Sequence, residues 1–461
     1  MYDRDRKGDH QVSIKPGKKT AEILRRDMAI LGQPMKIRFF PMVIEECKGV
    51  NIKDPDGFEY IDFTGNWAVA NIGYSHPKVV QAVREQIEKT SFVSLCTFSN
   101  EMPVKLAEKL IEITPGDFKK RVWLGLSGSD ANDCVFKILP KYKKRSKILS
   151  FIGAYHGQTM GALSLSGHQA QSRFTSFPSV IKAPYAYCYR CPFKMIYPSC
   201  DMYCVDFIEE VIFQSICPPD ETAAMIVEPI QCDGGDIVPP KEYLPKLHNL
   251  CRKYDISFIV DEVKVGFGRT GKMFAVERVN IEPDVMVLAK PIASGMPLSA
   301  CIARAEIFEI LGGSHLLTTG GYPASCAAGL ATITVIEEEK LYQNSERIGA
   351  YMFKRFKEMM DNHPLIGDVR GAGMLVGIEL VRDRIGKKPA KMETAMLCYR
   401  AWELGLLTEY VGVYSNVMEI TPPLILNESE ADRGLDLFEK ALNDVEKGKV
   451  SKEKIEQYAG W

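Results

Sequence analysis

Five short apolar runs in this 461-residue chain each end beside residues that can do chemistry. Val285, Met286, Val287, Leu288 and Ala289 lead into Lys290, and the chain then turns through Pro291 and Gly295. "AAMIV" is followed by Glu228, and "SFIV" by Asp261. "RVWLGL" opens into "SGSDAND", a turn of small residues before a helical stretch, and "KILSFI" into "GAYHGQT", with Tyr155. Taken singly, these residues have ordinary readings. Lysine is rarely buried and commonly ends a strand in solvent. Asp261 reads as a helix cap, Ser127-Gly128-Ser129 as a turn, and Tyr155 as rim packing. In open α/β sheets, however, ligands bind beyond the carboxyl ends of the strands. Together the five ends describe a site for a flat, anionic, nitrogen-containing ligand that offers a carbonyl to the lysine.

The elements that position these ends follow from patterning. Each run has strand length and is nearly all apolar, as in a parallel sheet covered on both faces. The intervals have helical period. "PKVVQAVREQIEK", for example, places Val80, Val83 and Ile87 on one face. Strands alternating with helices between about residues 70 and 345 imply an α/β fold with a mainly parallel sheet. Before that region, "CKGVNIKDPDGFEYIDF" reads as a hairpin turning at Asp54-Pro55-Asp56-Gly57. After it, "VRGAGMLVGIELV" and "VMEITPPLIL" read as strands. A helix then carries Leu435, Phe438, Leu442 and Val445 on one stripe. The expected organisation is a large domain over 70–345, with a small α+β domain built from both termini, 1–69 and 346–461.

Composition narrows the partners. With 58 basic and 59 acidic residues the net charge is -1, so neither nucleic acid nor an anionic membrane is expected. The apolar runs fall far short of the ~20 residues that cross a bilayer. The opening "MYDRDRKGDHQVSIKPGKK" has no apolar stretch of the kind a secretory signal carries. A soluble, cytoplasmic protein is expected. Of 13 cysteines, Cys134, Cys301 and Cys326 sit in apolar settings and read as small core residues. Cys188, Cys191, Cys200 and Cys204 cluster as C-x2-C-x8-C-x3-C. This spacing is no standard zinc-finger signature, and it leaves metal binding, disulfides and free thiols in an aromatic loop all open. No metal site is expected.

Pyridoxal phosphate meets the requirements of the five strand ends. Its phosphate suits the backbone N–H groups of Gly128 and Ser129 at a helix N-terminus. Its pyridine nitrogen needs a carboxylate to stay protonated, which Asp261 can supply. Tyr155 can stack on one ring face and Val263 can close the other. The aldehyde forms a Schiff base with Lys290. The lysine at the strand end is thus expected to be an imine nitrogen in the resting protein.

These residues lie in segments that resemble the motifs of class III aminotransferases, pyridoxal-phosphate enzymes of fold type I. The segments are "SGSDAND", "YHGQT", "EPIQCDGG", "DEVKVGFGRTG", "LAKPIASGMPLSA" and "TTGGYPASCAAG". "ANIGYSHPKVV" and "VRGAGMLVGIEL" also resemble flanking motifs, and the likeness runs from about residue 35 to 445. The resemblance implies a homodimer or higher homo-oligomer with active sites at the subunit interface. It carries over Lys290 as the Schiff-base lysine, Asp261 as the pyridine partner, and Gly128 and Ser129 as the phosphate turn. Tyr155 is carried over as the stacking aromatic and Glu228 as an acid near the ring. Thr318 is carried over as a threonine reaching the phosphate of the neighbouring subunit. Trp67, Gln158, Asp233 and Glu419 are the residues expected to face substrate.

The departures bear on the substrate. Family members acting on 4-aminobutyrate or ornithine have arginine where this chain has Gln158, and most aminotransferases of the family have arginine where it has Glu419. Asp233 stands in place of that second arginine's glutamate partner, and Lys264 replaces a glutamine that touches the ring hydroxyl. A bidentate arginine contact to carboxylate is not replaced by Gln or Glu. Glu419 and Asp233 then either cradle a cationic substrate tail or pair with a basic side chain such as Lys264. The leading expectation is amino transfer from an amino acid or ω-amine to an oxo acid. The alternative is an amino-acid racemase or epimerase, since such enzymes resemble the family in the same cofactor motifs.

Overall fold

The computed structural model describes residues 15–459 apart from 173, 175, 176 and 178. The first 14 residues, and with them most of the opening stretch discussed above, lie outside the described residues.

All five apolar runs are strands, and each lies in one seven-stranded sheet. Its strands run in the order Lys120–Gly125, Ser299–Arg304, Val285–Leu288, Ser257–Asp261, Thr222–Val227, Lys147–Phe151 and Val180–Ala183. The last five strands in that order pair in parallel, while Ser299–Arg304 is antiparallel to both its neighbours. Thr222–Val227, Ser257–Asp261 and Val285–Leu288 are buried along their whole length. That is why their sequences show no polar alternation.

The two ends of the chain share a second sheet. Glu46–Lys48, Asn51–Lys53 and Glu59–Asp62 form an antiparallel meander. Asp54 closes its turn by accepting the backbone N–H of Asp56 at 3.0 Å and of Phe58 at 2.9 Å. Leu406–Leu407 adds to this sheet in parallel, opposite Ile61 and Asp62. A third sheet, all antiparallel, runs Ile366–Ala372, Leu375–Leu380, Val417–Ile420, Glu409–Val411. The helix Glu428–Glu446 buries Leu435, Phe438, Leu442 and Val445 as the stripe requires. Each such side chain contributes roughly 1.5–3 kcal/mol. One continuous helix, Leu341–Asn362, runs across the expected boundary at 345/346.

The helix Pro77–Lys89 is present, but its buried positions are Val79 and Gln86, whereas Val80 and Ile87 are exposed. The apolar spacing located the helix and misplaced its inner face. Cys134, Cys301 and Cys326 are buried, as expected of small core residues. Cys188, Cys191, Cys200 and Cys204 are free thiols around one small, aromatic-lined cavity. Burial, and then the neighbouring thiols, push Cys204 up to about 12. Among the described residues no group of three or more His, Cys, Asp or Glu is arranged to hold a metal ion. Nor is any described helix long and apolar enough to cross a membrane.

Just beyond Asp261, Glu262 is fully buried and accepts the N–H groups of Ala275 at 2.9 Å and Val276 at 2.8 Å. Burial nonetheless pushes its carboxyl up to about 8. The folded chain therefore keeps a proton that the unfolded chain releases at lower pH. That contribution is complete below the ordinary glutamate range and is lost as pH rises through about 8. Glu262→Gln should flatten the fall in Tm between pH 5 and pH 8 that this group imposes. Thermal melts across that range check it, and an unchanged slope would assign the dependence elsewhere.

Candidate active site

The carboxyl ends of the parallel strands open onto a cavity of about 300 Å³. Gly128, Ser129, Tyr155, Glu228, Asp233, Asp261, Val263, Lys264 and Lys290 all line it. Residues up to 162 positions apart in the chain thus meet, each delivered by the strand before it.

The helix Gly128–Lys143 begins at the cavity. Its N-cap Ser127 forms a capping box with Asp130, and Asp130 is held further by the Ser299 hydroxyl at 2.9 Å. A Cβ at Gly128 would lie 2.9 Å from Val263 Cγ1, so only glycine lets the two segments approach this closely. Ser129 Oγ accepts the backbone N–H of Gln158 at 3.1 Å, which ties the turn to the "YHGQT" loop. The free N–H groups of a first helical turn and the positive end of its dipole make this an anion seat.

Asp261 is almost wholly buried. Its Oδ2 accepts from Asn132 Nδ2 at 2.9 Å and faces His156 Nδ1 at 2.7 Å, while Oδ1 accepts the Val263 N–H at 3.0 Å. Asn132 and His156 were not singled out from the sequence, although both lie inside quoted motifs. A buried aspartate needs donors, but nothing local says which residues will supply them. Tyr155 donates its N–H to Glu228 Oε2 at 3.3 Å. Burial, then the Asp233 charge, pushes its hydroxyl up to about 12, so it stays neutral. Burial, then the charges of Asp261 and Asp233, pushes Glu228 well above the carboxylate range. Lys290 follows the strand Val285–Leu288 at φ +40°, in the left-handed region, at a cost of about 1–3 kcal/mol. Strain of that kind is retained where surrounding structure fixes a side chain for a purpose.

Lys264 answers the question left open for Glu419. Its Nζ donates to both carboxylate oxygens of Glu419 at 2.6 Å and lies 3.8 Å from Asp233 Oδ1. Burial opposes the ammonium, but the charges of Glu419 and then Asp233 outweigh it and hold its pKa well above the usual lysine range. Glu419 is fully buried behind Lys264 and is taken up by this pairing rather than held open for a cationic tail. Trp67 lies against the same lysine, with its ring centre 5.2 Å from Nζ. Asn66, Trp67 and Ala68 all have positive φ, and this strained turn is tied to the strand beyond Glu419. Thr421 donates its N–H to Phe63 O at 2.7 Å and its hydroxyl to Thr64 O at 2.8 Å. Gln158 is exposed, and Thr318 lies exposed outside the cavity lining.

A phosphate seat, a buried carboxylate with two side-chain partners, a flanking aromatic and a strained lysine together fit pyridoxal phosphate. The buried His156 Nε2 and Asn132 Oδ1, which lack hydrogen-bond partners, show that the cavity floor has polar capacity to spare.

Residues 33–442 match the model of the family "Aminotransferase class-III". The chain belongs to that family. Its fold is fold type I, and the family's cofactor is pyridoxal phosphate. Among its relatives, the alanine/serine racemase of Pyrococcus horikoshii is 40% identical, with 95% of this chain and 94% of that protein covered. The leucine/methionine racemase of Thermococcus litoralis is 39% identical, covering 95% and 99%. The ω-transaminase of Pseudomonas jessenii, solved in complex with PMP, superposes with a TM-score of 0.83 at 32% identity, covering 88% and 93%. This class III chain is thus similar over nearly its full length both to racemases and to transaminases.

Proposed function

We propose that the chain is a pyridoxal-phosphate-dependent racemase or epimerase of α-amino acids. The observation that carries this is the Lys264–Glu419 pair. An aminotransferase that cycles through a dicarboxylic oxo acid needs a cation for the distal carboxylate. Among the described residues lining the cavity, the lysines and arginines are Lys264 and Lys290 alone. Lys264 is committed to Glu419 and Asp233, and Lys290 is the residue for the cofactor aldehyde. Racemisation needs no such co-substrate. The identity to two racemases supports the same reading.

In this reading Gly128 and Ser129 take the phosphate and Asp261 keeps the pyridine nitrogen charged, with Asn132 and His156 fixing the carboxylate. Tyr155 and Val263 bracket the ring, with Glu228 beside it, and Lys264 stands near its hydroxyl. The bound cofactor supplies an electron sink that lowers the acidity barrier at the carbon bearing the amino group. Lys290 Nζ takes that proton on one face. A second group must return one on the other. Tyr155 and Glu228 are held neutral, Asp261 is tied to His156 and Asn132, and Lys264 is tied to Glu419. Asp233 lines the cavity, 3.8 Å from Lys264, and in its protonated form it is the second proton carrier.

Thr318 completes the phosphate seat of a neighbouring copy in a homodimer. Supporting this, Thr318 adjoins a groove lined by Leu95, Phe98, Val104, Trp123, Leu316 and Leu317, with Phe98, Val104 and Leu316 exposed. Apolar exposure of this kind marks an interaction surface.

The test is incubation with single L-amino acids and no oxo acid, followed by chiral chromatography. D-enantiomer should accumulate toward equality with the L-form. Amino transfer to pyruvate or 2-oxoglutarate with no exchange of enantiomers would favour the second reading instead. That reading, transfer from an amino acid or ω-amine, is supported by the likeness to the ω-transaminase.

A further inference from the structure

The surroundings of Lys264 and Glu419 are built by strand register. Glu409 stands directly opposite Glu419 across one antiparallel pair, and Gly377 stands opposite it across the other. Directly opposed side chains share a face of the sheet. A Cβ at Gly377 would lie 2.7 Å from Asp236 Cβ, so the missing side chain makes room for Asp236. Asp236, Glu409 and Glu419 are therefore three buried carboxyl groups in one place, with Asp233 on the cavity side of Lys264. Both carboxyl oxygens of Asp236, and Oε1 of Glu409, find no hydrogen-bond partner. Burial and then the Glu419 charge push both groups well above the carboxylate range. A proton retained on each, directed at Glu419, accounts for oxygens that face another acid and meet no donor.

With Asp236 and Glu409 neutral, the charges left in this cluster beside the cavity are Lys264, Glu419 and Asp233; the Arg269 guanidinium, which also feels Glu419, is fully buried outside the cavity lining. The lysine is cancelled by the first acid and shared with the second. A substrate side chain entering here meets no uncompensated cation.

We propose that the Lys264–Glu419 pair is a charge filter that sets substrate class, admitting α-amino acids with uncharged side chains and rejecting a second carboxylate. This rests on the reading of the cavity as an amino-acid site. The filter works by subtraction: each member hides the charge of the other. Removing Glu419 leaves Lys264 balanced only by Asp233 at 3.8 Å, and removing Lys264 leaves Glu419 and Asp233 with no cation between them, so the two single variants must shift preference in opposite directions.

Binding is read from the absorbance change of the cofactor in the holoprotein, titrated with leucine, glutamate and lysine at fixed pH. The natural protein should bind leucine about tenfold or more tightly than glutamate. Glu419→Gln should improve glutamate relative to leucine by about tenfold. Lys264→Gln, which uncovers Glu419, should instead improve lysine relative to leucine by a similar factor. Comparable binding of glutamate and leucine by the natural protein would overturn the filter with no variant needed. So would variants that leave both ratios unmoved or shift them together. If one variant does not fold, the other still carries a signed prediction. Chiral chromatography on the same preparations keeps this apart from the proposed reaction. Absence of D-product with the binding preferences intact overturns racemisation and leaves the filter standing.

Discussion

Lys290→Ala should lower turnover by about 10⁴-fold or more, whichever of the two reactions the protein performs. The same side chain is asked to hold the cofactor covalently and to move the substrate proton. Its loss therefore removes two functions at once. The variant should still fold, because Lys290 follows the apolar strand Val285–Leu288 rather than forming part of it. Releasing the φ +40° conformation would even relieve strain if alanine lets the turn relax. Borohydride treatment of the natural protein should fix a cofactor-sized mass on the peptide containing Lys290, and the variant should lose that adduct. Near-normal turnover, or an adduct on Lys264, would mean that the reactive lysine has been misassigned.

Asp261→Asn should cost about 10²–10³-fold in turnover while leaving much of the cofactor binding intact. Asparagine keeps the shape, but its one amide oxygen accepts from Asn132 or from the Val263 N–H and not from both. It loses the charge that keeps a pyridine nitrogen protonated. His156, 2.7 Å from the carboxylate, would then face an amide instead of an anion. Steady-state rates and the cofactor absorbance spectrum measure the two consequences separately. A variant with an unchanged spectrum and unchanged rate would show that the acid is structural.

The fold was largely legible because the buried strands carry their own evidence. Runs such as "FIV" and "VMVL" are apolar throughout, and they lie in wholly buried strands. Val180–Ala183 and Ser299–Arg304 did not announce themselves. One is an edge strand interrupted by Lys182, and the other is a run of small residues in "SACIAR". On Pro77–Lys89, Val80 and Ile87 face outward, and local periodicity missed this because it counts apolar residues without knowing which surface packs against the core. In the site, nine of the residues named from sequence converge on one cavity because strand ends are positioned by the sheet itself. Their supporting partners were not legible. Asn132 and His156 reach Asp261 only through tertiary packing, and Glu409 meets Glu419 only through the register of two strands. Sequence distinguished two fates for Glu419, but only the position of Lys264 decided between them.

The pairing of Leu407 with Asp62 bears on how the chain is made. A nascent chain emerges from the ribosome amino end first, and its opening meander then has no docking partner at the edge held by Asp62. That edge stays bare until almost the whole polypeptide has been synthesised. Contacts so distant along the chain slow folding, and an unpaired edge meanwhile invites association with other chains. Chaperone dependence during translation should therefore be concentrated in the first sixty or so residues, and a circular permutant that brings the two strands together should refold faster.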